Sequence, residues 1–163
     1  MTKENQISEK VLNITSKKEE SFLRKKVPIF HLAREDKKEL KSLIRQMRII
    51  MKKNNGIGLS ANQIGLSKRL FVAQVPDEHG HPKFYAIINP EIVKSSSKKM
   101  PSEEGCLSVP LETTGIVERP DKISIQGYNS DGKKVKIKAW GLLARVFQHE
   151  IDHLNGKLFI DRA

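Results

Sequence analysis

The sequence predicts an α+β fold: mixed or antiparallel β-sheets around a buried helix that carries His149-Glu150-Ile151-Asp152-His153, with an amphipathic helix on the N-terminal side. Three observations predict it. Residues 36–53 place Leu40, Leu43, Ile44, Met47, Ile50 and Met51 at 3.6-residue spacing, the mark of a helix with one apolar face. Between 69 and 140 the pattern changes to short runs rich in β-branched and aromatic residues. From 142 to 155 apolar residues occur on every side of the helical wheel, which marks a helix buried all round.

The elements follow in order. Asp36 is the expected N-cap of the first helix, and Asn54-Asn55-Gly56 its stop. The runs 69–75, 84–88, 122–128 and 135–140 are expected strands, the last alternating apolar and basic residues as a half-exposed strand does. His79 and His81 flank Gly80 in one turn, and Asn129-Ser130-Asp131-Gly132 forms another. Ser95-Ser96-Ser97-Lys98-Lys99 is a polar loop. Gly156 ends the last helix. One domain over residues 1–163 is expected, with 1–10 as a flexible N-terminus.

Composition excludes several function classes. The lone Cys106 rules out an internal disulfide and fits a reducing compartment. No apolar run approaches a membrane span, and the first residues lack the apolar stretch of a signal peptide. A soluble cytoplasmic protein, monomeric rather than oligomeric, is the expectation. The net charge is +11, concentrated in residues 1–53, where 15 Lys/Arg against 7 Asp/Glu leave +8. No aromatic residues interleave with these lysines as base stacking requires, so sequence-specific nucleic-acid binding is not expected.

His149-Glu150-Ile151-Asp152-His153 carries the chemistry. Four residues apart on a helix, both imidazoles reach one metal ion, with the glutamate beside it as a base. Two ligands are not a catalytic centre, so a third is needed. The plan H-E-x-x-H-x-x-G-x-x-H matches as far as Gly156 but meets Phe159 where a histidine is required. No suitable glutamate follows downstream, so the third ligand is expected from upstream. Cys106, in Glu104-Gly105-Cys106-Leu107-Ser108, is the strongest candidate, because a metal-bound sulfur is held as thiolate. His79 and His81 are expected to be polar surface rather than ligands.

Three separated stretches together resemble the peptide deformylase family: Gly56-Ile57-Gly58-Leu59-Ser60-Ala61-Asn62-Gln63, Glu104-Gly105-Cys106-Leu107-Ser108 and Gln148-His149-Glu150-Ile151-Asp152-His153-Leu154. Leu23-Arg24-Lys25-Lys26 and Gly141-Leu142-Leu143-Ala144-Arg145 agree with it, and the likeness runs from about Val11 onward.

The resemblance implies a metal-dependent hydrolase that removes the formyl group from N-formylmethionyl nascent peptides and releases formate. Cys106, His149 and His153 are then the metal ligands, Glu150 the general base, and the Gln63 amide with the Leu107 backbone N–H the oxyanion donors. Ile57, Gly58, Gly105 and Val146 are expected to bind substrate, Ile57 and Val146 with Leu107 walling the methionine side chain and Gly58 letting peptide backbone approach closely. The implied ion is Fe2+, with Zn2+, Ni2+ or Co2+ also able to bind. Glu104 and Asp152 are expected to orient ligands, with Arg119 pairing to one of them. Transient contact with the ribosome is implied. Many relatives dock through a further C-terminal helix; docking here is expected to be weaker or to use another surface, the basic N-terminal third being one candidate beside its plainer reading as a solvated lysine-rich face. Ser60 stands where the family commonly has alanine, a change expected to matter little. Thr113 and Thr114 occupy a loop where a basic residue often holds substrate backbone, which leaves that contact without a counterpart. A metallopeptidase and a non-enzymatic RNA-binding protein are the competing readings. The missing downstream ligand opposes the first; the intact set Gln63, Cys106, His149, Glu150 and His153 opposes the second.

Overall fold

The computed structural model describes residues 7–163, so the first six residues of the expected flexible terminus lie outside the described residues. The first helix, α1, spans Lys17–Leu23, with the Ser16 hydroxyl accepting from the Glu19 N–H. Seven residues are too few to show an apolar period, which is why the sequence pattern did not reveal it. The amphipathic helix α2 spans Lys37–Lys53. Asp36 caps it, accepting from the Lys38 and Glu39 N–H groups at 2.7 and 3.1 Å. Asn54 closes it and Asn55 turns the chain at φ 56°, in the left-handed region that asparagine tolerates.

Seven strands follow: β1 Gly58–Ser60, β2 Leu70–Pro76, β3 Pro82–Ser95, β4 Lys99–Glu104, β5 Gly115–Pro120, β6 Lys122–Tyr128 and β7 Lys134–Trp140. One sheet has the order β1-β2-β3-β6-β7, and β4 pairs with β5 alone. Every ladder among the described residues is antiparallel. Of the mixed or antiparallel sheets expected, the antiparallel form is the one present.

β2 explains how the layers stack. Its side chains alternate, so Phe71, Ala73 and Val75 enter one core and Leu70 and Val72 the other. The first core joins the sheet to α3, Gly141–Leu154, through Val146, Phe147, Ile151 and Leu154. The second joins it to α2 through Leu40, Ile44, Met47 and Met51. Phe147 packs between Phe71 and Tyr85, with ring centroids 5.4 and 5.2 Å away. The expectation of a helix buried all round needs one correction. Leu142 in the first turn of α3 is 52% exposed and borders an open cleft instead of packing into a core. From Ala144 the helix is largely enclosed. No helix among the described residues is long and apolar enough to cross a membrane.

Gly156 ends α3 at φ 74°, and a Cβ there would lie 2.2 Å from the Arg24 carbonyl oxygen. Both the dihedral and the contact demand glycine. Gly156→Ala is expected to lower unfolding free energy by about 2–4 kcal/mol, measured by urea denaturation.

Candidate metal centre

α3 carries His149, Glu150 and His153 into the interior, and the two Nε2 atoms stand 3.2 Å apart. β4 ends at Glu104, so the chain turns through Gly105 and delivers Cys106 to the same point. Its Sγ lies 3.2 Å from His153 Nε2. The three ligand atoms lie within 4.8 Å of one another. A tetrahedral ion with metal–nitrogen distances of about 2.0–2.1 Å and metal–sulfur of about 2.3 Å spaces such atoms about 3.4–3.6 Å apart. Two imidazole nitrogens and a sulfur are donor types that divalent transition ions take, so the donor set fits such an ion. The Glu150 Oε2 and His153 Nδ1 atoms are buried without a hydrogen-bond partner.

Charged groups fix the His149 side chain and the acids beside it. His149 Nδ1 donates to Glu104 Oε2 at 3.0 Å, which leaves Nε2 for the centre. Glu104 also accepts from Arg119 Nε and Nη2 at 2.6 and 3.0 Å, and from Arg145 Nη1 at 2.7 Å. Arg119 Nη1 reaches Asp152 Oδ2 at 2.9 Å. Arg119 was expected to pair with one of the two acids; it pairs with both. Burial pushes the Glu104 carboxyl up, but the bonds from His149 and Arg119 outweigh it and hold it below the usual carboxylate range. Burial pushes His149 down, while Cys106, Glu104 and the Glu150 charge hold it up at about 10. His153 is driven well below its ordinary value by burial and by the charges of His149 and Arg119. Burial lifts Glu150 to about 7 against the pull of His149 and Arg119.

Gln63 sits in the 3₁₀ turn Ala61–Ile64 that follows β1. Asn62 ties this turn to α3 by donating to the His153 carbonyl at 2.7 Å. Gln63 Oε1 accepts from the Ser60 N–H at 3.0 Å and the Ser60 hydroxyl at 3.1 Å. An N–H can only donate, so the amide oxygen must face Ser60 and the NH2 must face inward. Gln63 Nε2 donates to Ser108 Oγ at 3.1 Å and stands 3.6 Å from Cys106 Sγ. Ser60 was expected to matter little, yet its hydroxyl touches the amide that faces the centre.

Gly58 has a reason beside the one expected. A Cβ there would come within 2.4 Å of Glu150 Oε1, so the glycine makes room for the carboxylate itself. At Gly105 the nearest atom to such a Cβ is 3.7 Å away, and packing does not demand glycine.

A cleft of about 360 Å³ opens over the centre and brings Ile57, Gly58, Gln63, Gly105, Cys106, Leu107, Val146, His149 and Glu150 to one wall or another. His153 lies behind that surface, 1% exposed. Sequence reasoning missed Ser108, Arg145, Leu111 and Leu142. Arg145 stands four residues before His149 on the same helix face, a spacing that could have flagged it. It lines the cleft, but its guanidinium is committed to Glu104 and to the Val117 and Met100 carbonyls. Thr114 donates to Glu103 at 2.7 Å. His79 and His81 lie in an exposed turn away from the centre.

The comparisons with known proteins point the same way. The polypeptide deformylase family profile matches residues 11–163. A peptide deformylase of Halothermothrix orenii is 49% identical over 125 residues, which is 77% of this chain and 78% of the relative. The crystal structure of a probable peptide deformylase from synechococcus phage S-SSM7 superposes with a TM-score of 0.84 at 41% identity, covering 96% of this chain and all of that one. A class I type b peptide deformylase from Acinetobacter baumannii, solved with Met-Ala-Ser bound, gives a TM-score of 0.84 at 31% identity, covering 94% and 97% of the two chains. With a match that spans nearly the whole chain, the protein belongs to the polypeptide deformylase family, the metal-dependent hydrolases that remove the N-formyl group from nascent polypeptides.

Proposed function

We propose that Cys106, His149 and His153 hold one divalent ion, and that Glu150, Gln63 and Leu107 perform deformylation beside it. The observation that carries this reading is the meeting of the three ligand atoms on a cleft floor where Glu150 Oε2 has no partner. A dication held there would supply Lewis acidity, making a water molecule acidic enough to lose a proton near neutral pH. Thiolate and imidazole ligands suit Fe2+, the ion the family resemblance favours, and equally Zn2+, Ni2+ or Co2+.

Glu150 takes the proton of the attacking water at its carboxylate and later gives it to the departing amine. Burial raises the Glu150 carboxyl, which strengthens it as a proton acceptor. As water adds to the formyl carbon, negative charge builds on the formyl oxygen. Gln63 Nε2, held inward by Ser60, and the Leu107 backbone N–H are the donors aimed at it. Ile57, Leu107 and Val146 wall the pocket for the methionine side chain, and Gly58 and Gly105 keep the floor low beneath the peptide backbone. A relative with Met-Ala-Ser bound supports this use of the cleft. Residues 1–163 act as one catalytic domain, monomeric and cytoplasmic, meeting the ribosome only transiently.

Two experiments test the roles. Glu150→Ala is expected to retain stoichiometric metal while formate release from formyl-Met-Ala-Ser falls about 10²–10⁴-fold. The unformylated peptide serves as the control; its internal cleavage would favour a metallopeptidase instead. Ser60→Ala keeps the backbone donor but loses the hydroxyl. A single neutral hydrogen bond contributes about 0.5–1.5 kcal/mol, so kcat is expected to fall several-fold with KM unchanged in steady-state assays.

A further inference from the structure

We infer that Arg162 is a positioning residue for the metal centre, fixing the His149 ring through Asp152, Arg119 and Glu104. The inference rests on the proposed Cys106–His149–His153 centre. Arg162 lies just beyond the 3₁₀ turn Phe159–Asp161, and its side chain is 41% exposed. It grips Asp152 with both arms of its fork, Nε to Oδ2 at 2.7 Å and Nη2 to Oδ1 at 2.8 Å. Arg119 approaches the same carboxylate only at Oδ2. Arg162 therefore supplies Oδ1 with its donor and sets the plane of the carboxylate.

That plane matters because Arg119 is shared. Its Nη1 goes to Asp152 while Nε and Nη2 hold both oxygens of Glu104. Glu104 in turn orients His149 by accepting from Nδ1. All three residues between Arg162 and His149 are buried, with Arg119 3%, Glu104 7% and Asp152 7% exposed, so each has little freedom to re-pair with solvent. If Arg162 is lost, Asp152 Oδ1 is stranded and the carboxylate is free to turn. Arg119 Nη1 is then the one guanidinium contact left to a carboxylate whose orientation is no longer fixed, while its Nε and Nη2 still hold Glu104.

The same short segment holds His149 a second way. Phe159, at the position where a third histidine was sought, stacks on the His149 ring with centroids 6.4 Å apart and planes 19° apart. Asp161 anchors the segment to Arg24 at 2.5 Å and accepts from the Leu158 N–H at 2.9 Å. Arg162 is not among the residues that line the cleft, so its influence runs through the ligand and not through substrate.

The test uses the full chain loaded with Co2+, whose visible absorption reports ligand geometry. Arg162→Met keeps the aliphatic stem and removes the fork. Direct hydrogen-bond partners of ligands change metal affinity about 10–100-fold, and a more remote residue is expected to weaken Co2+ binding about three- to tenfold in chelator competition, with a shifted Co2+ spectrum. KM for formyl-Met-Ala-Ser is expected to stay unchanged, and Arg162→Lys to restore part of the affinity. In an Asp152→Asn background, Arg162→Met should add nothing. Wild-type affinity and spectrum in Arg162→Met, with or without a lower unfolding temperature, would overturn the inference, as would an undiminished effect in the Asp152→Asn background. Failure of the unmodified chain to bind one Co2+ would instead overturn the centre itself.

Discussion

Glu104 is a carboxylate at 7% exposure with four hydrogen bonds from three cationic or imidazole side chains. A buried anion must be matched by charge, and removing one partner from such an arrangement costs about 3–5 kcal/mol. Here the matching partners come from different parts of the fold. Arg119 belongs to β5, while Arg145 and His149 belong to α3. Satisfying this one carboxylate therefore clamps the two-stranded sheet onto the helix. Cys106 lies two residues beyond Glu104, so the same clamp sets the sulfur beside the imidazoles. The meeting of Cys106 with the two imidazoles is thereby tied to the neutralisation of Glu104.

The remaining layers support that clamp. α3 must be held still for His149, Glu150 and His153 to keep their places, and apolar packing along its length does so. Phe147 is wedged between Phe71 and Tyr85, and Leu154 is fully buried. At the helix end, the Leu154 carbonyl accepts from the Val27 N–H at 2.8 Å and from Arg69 at 2.9 Å. On the opposite side, β1 and its following turn carry Gln63 and are fastened to α3 through Asn62. Glu150 then fits only because Gly58 has no side chain.

Much of this was legible in the sequence because its signals are local. His149 and His153 announce themselves by spacing, and a single cysteine leaves few choices for a sulfur ligand. The run 36–53 shows its apolar period plainly and becomes α2 with Asp36 as cap. What stayed hidden depends on chain segments far apart. β4, Lys-Met-Pro-Ser-Glu-Glu, carries charges and a proline and shows no strand pattern; its pairing to β5 alone defines it. Arg119 serves acids 15 positions before it and 33 after it, a sharing that no spacing rule reveals. Further contacts of Gly58 and Ser60 stayed hidden for the same reason. Their roles come from Glu150 and Gln63 atoms whose approach only the folded chain defines.

On the proposed reading, one sulfur and two imidazole nitrogens surround a single ion. X-ray absorption at the metal edge of protein loaded with one equivalent of Co2+ tests it most directly. The account predicts a first shell with one sulfur at about 2.3 Å and two imidazole nitrogens at about 2.0–2.1 Å. A shell of nitrogen and oxygen alone, with no sulfur scatterer, would contradict it.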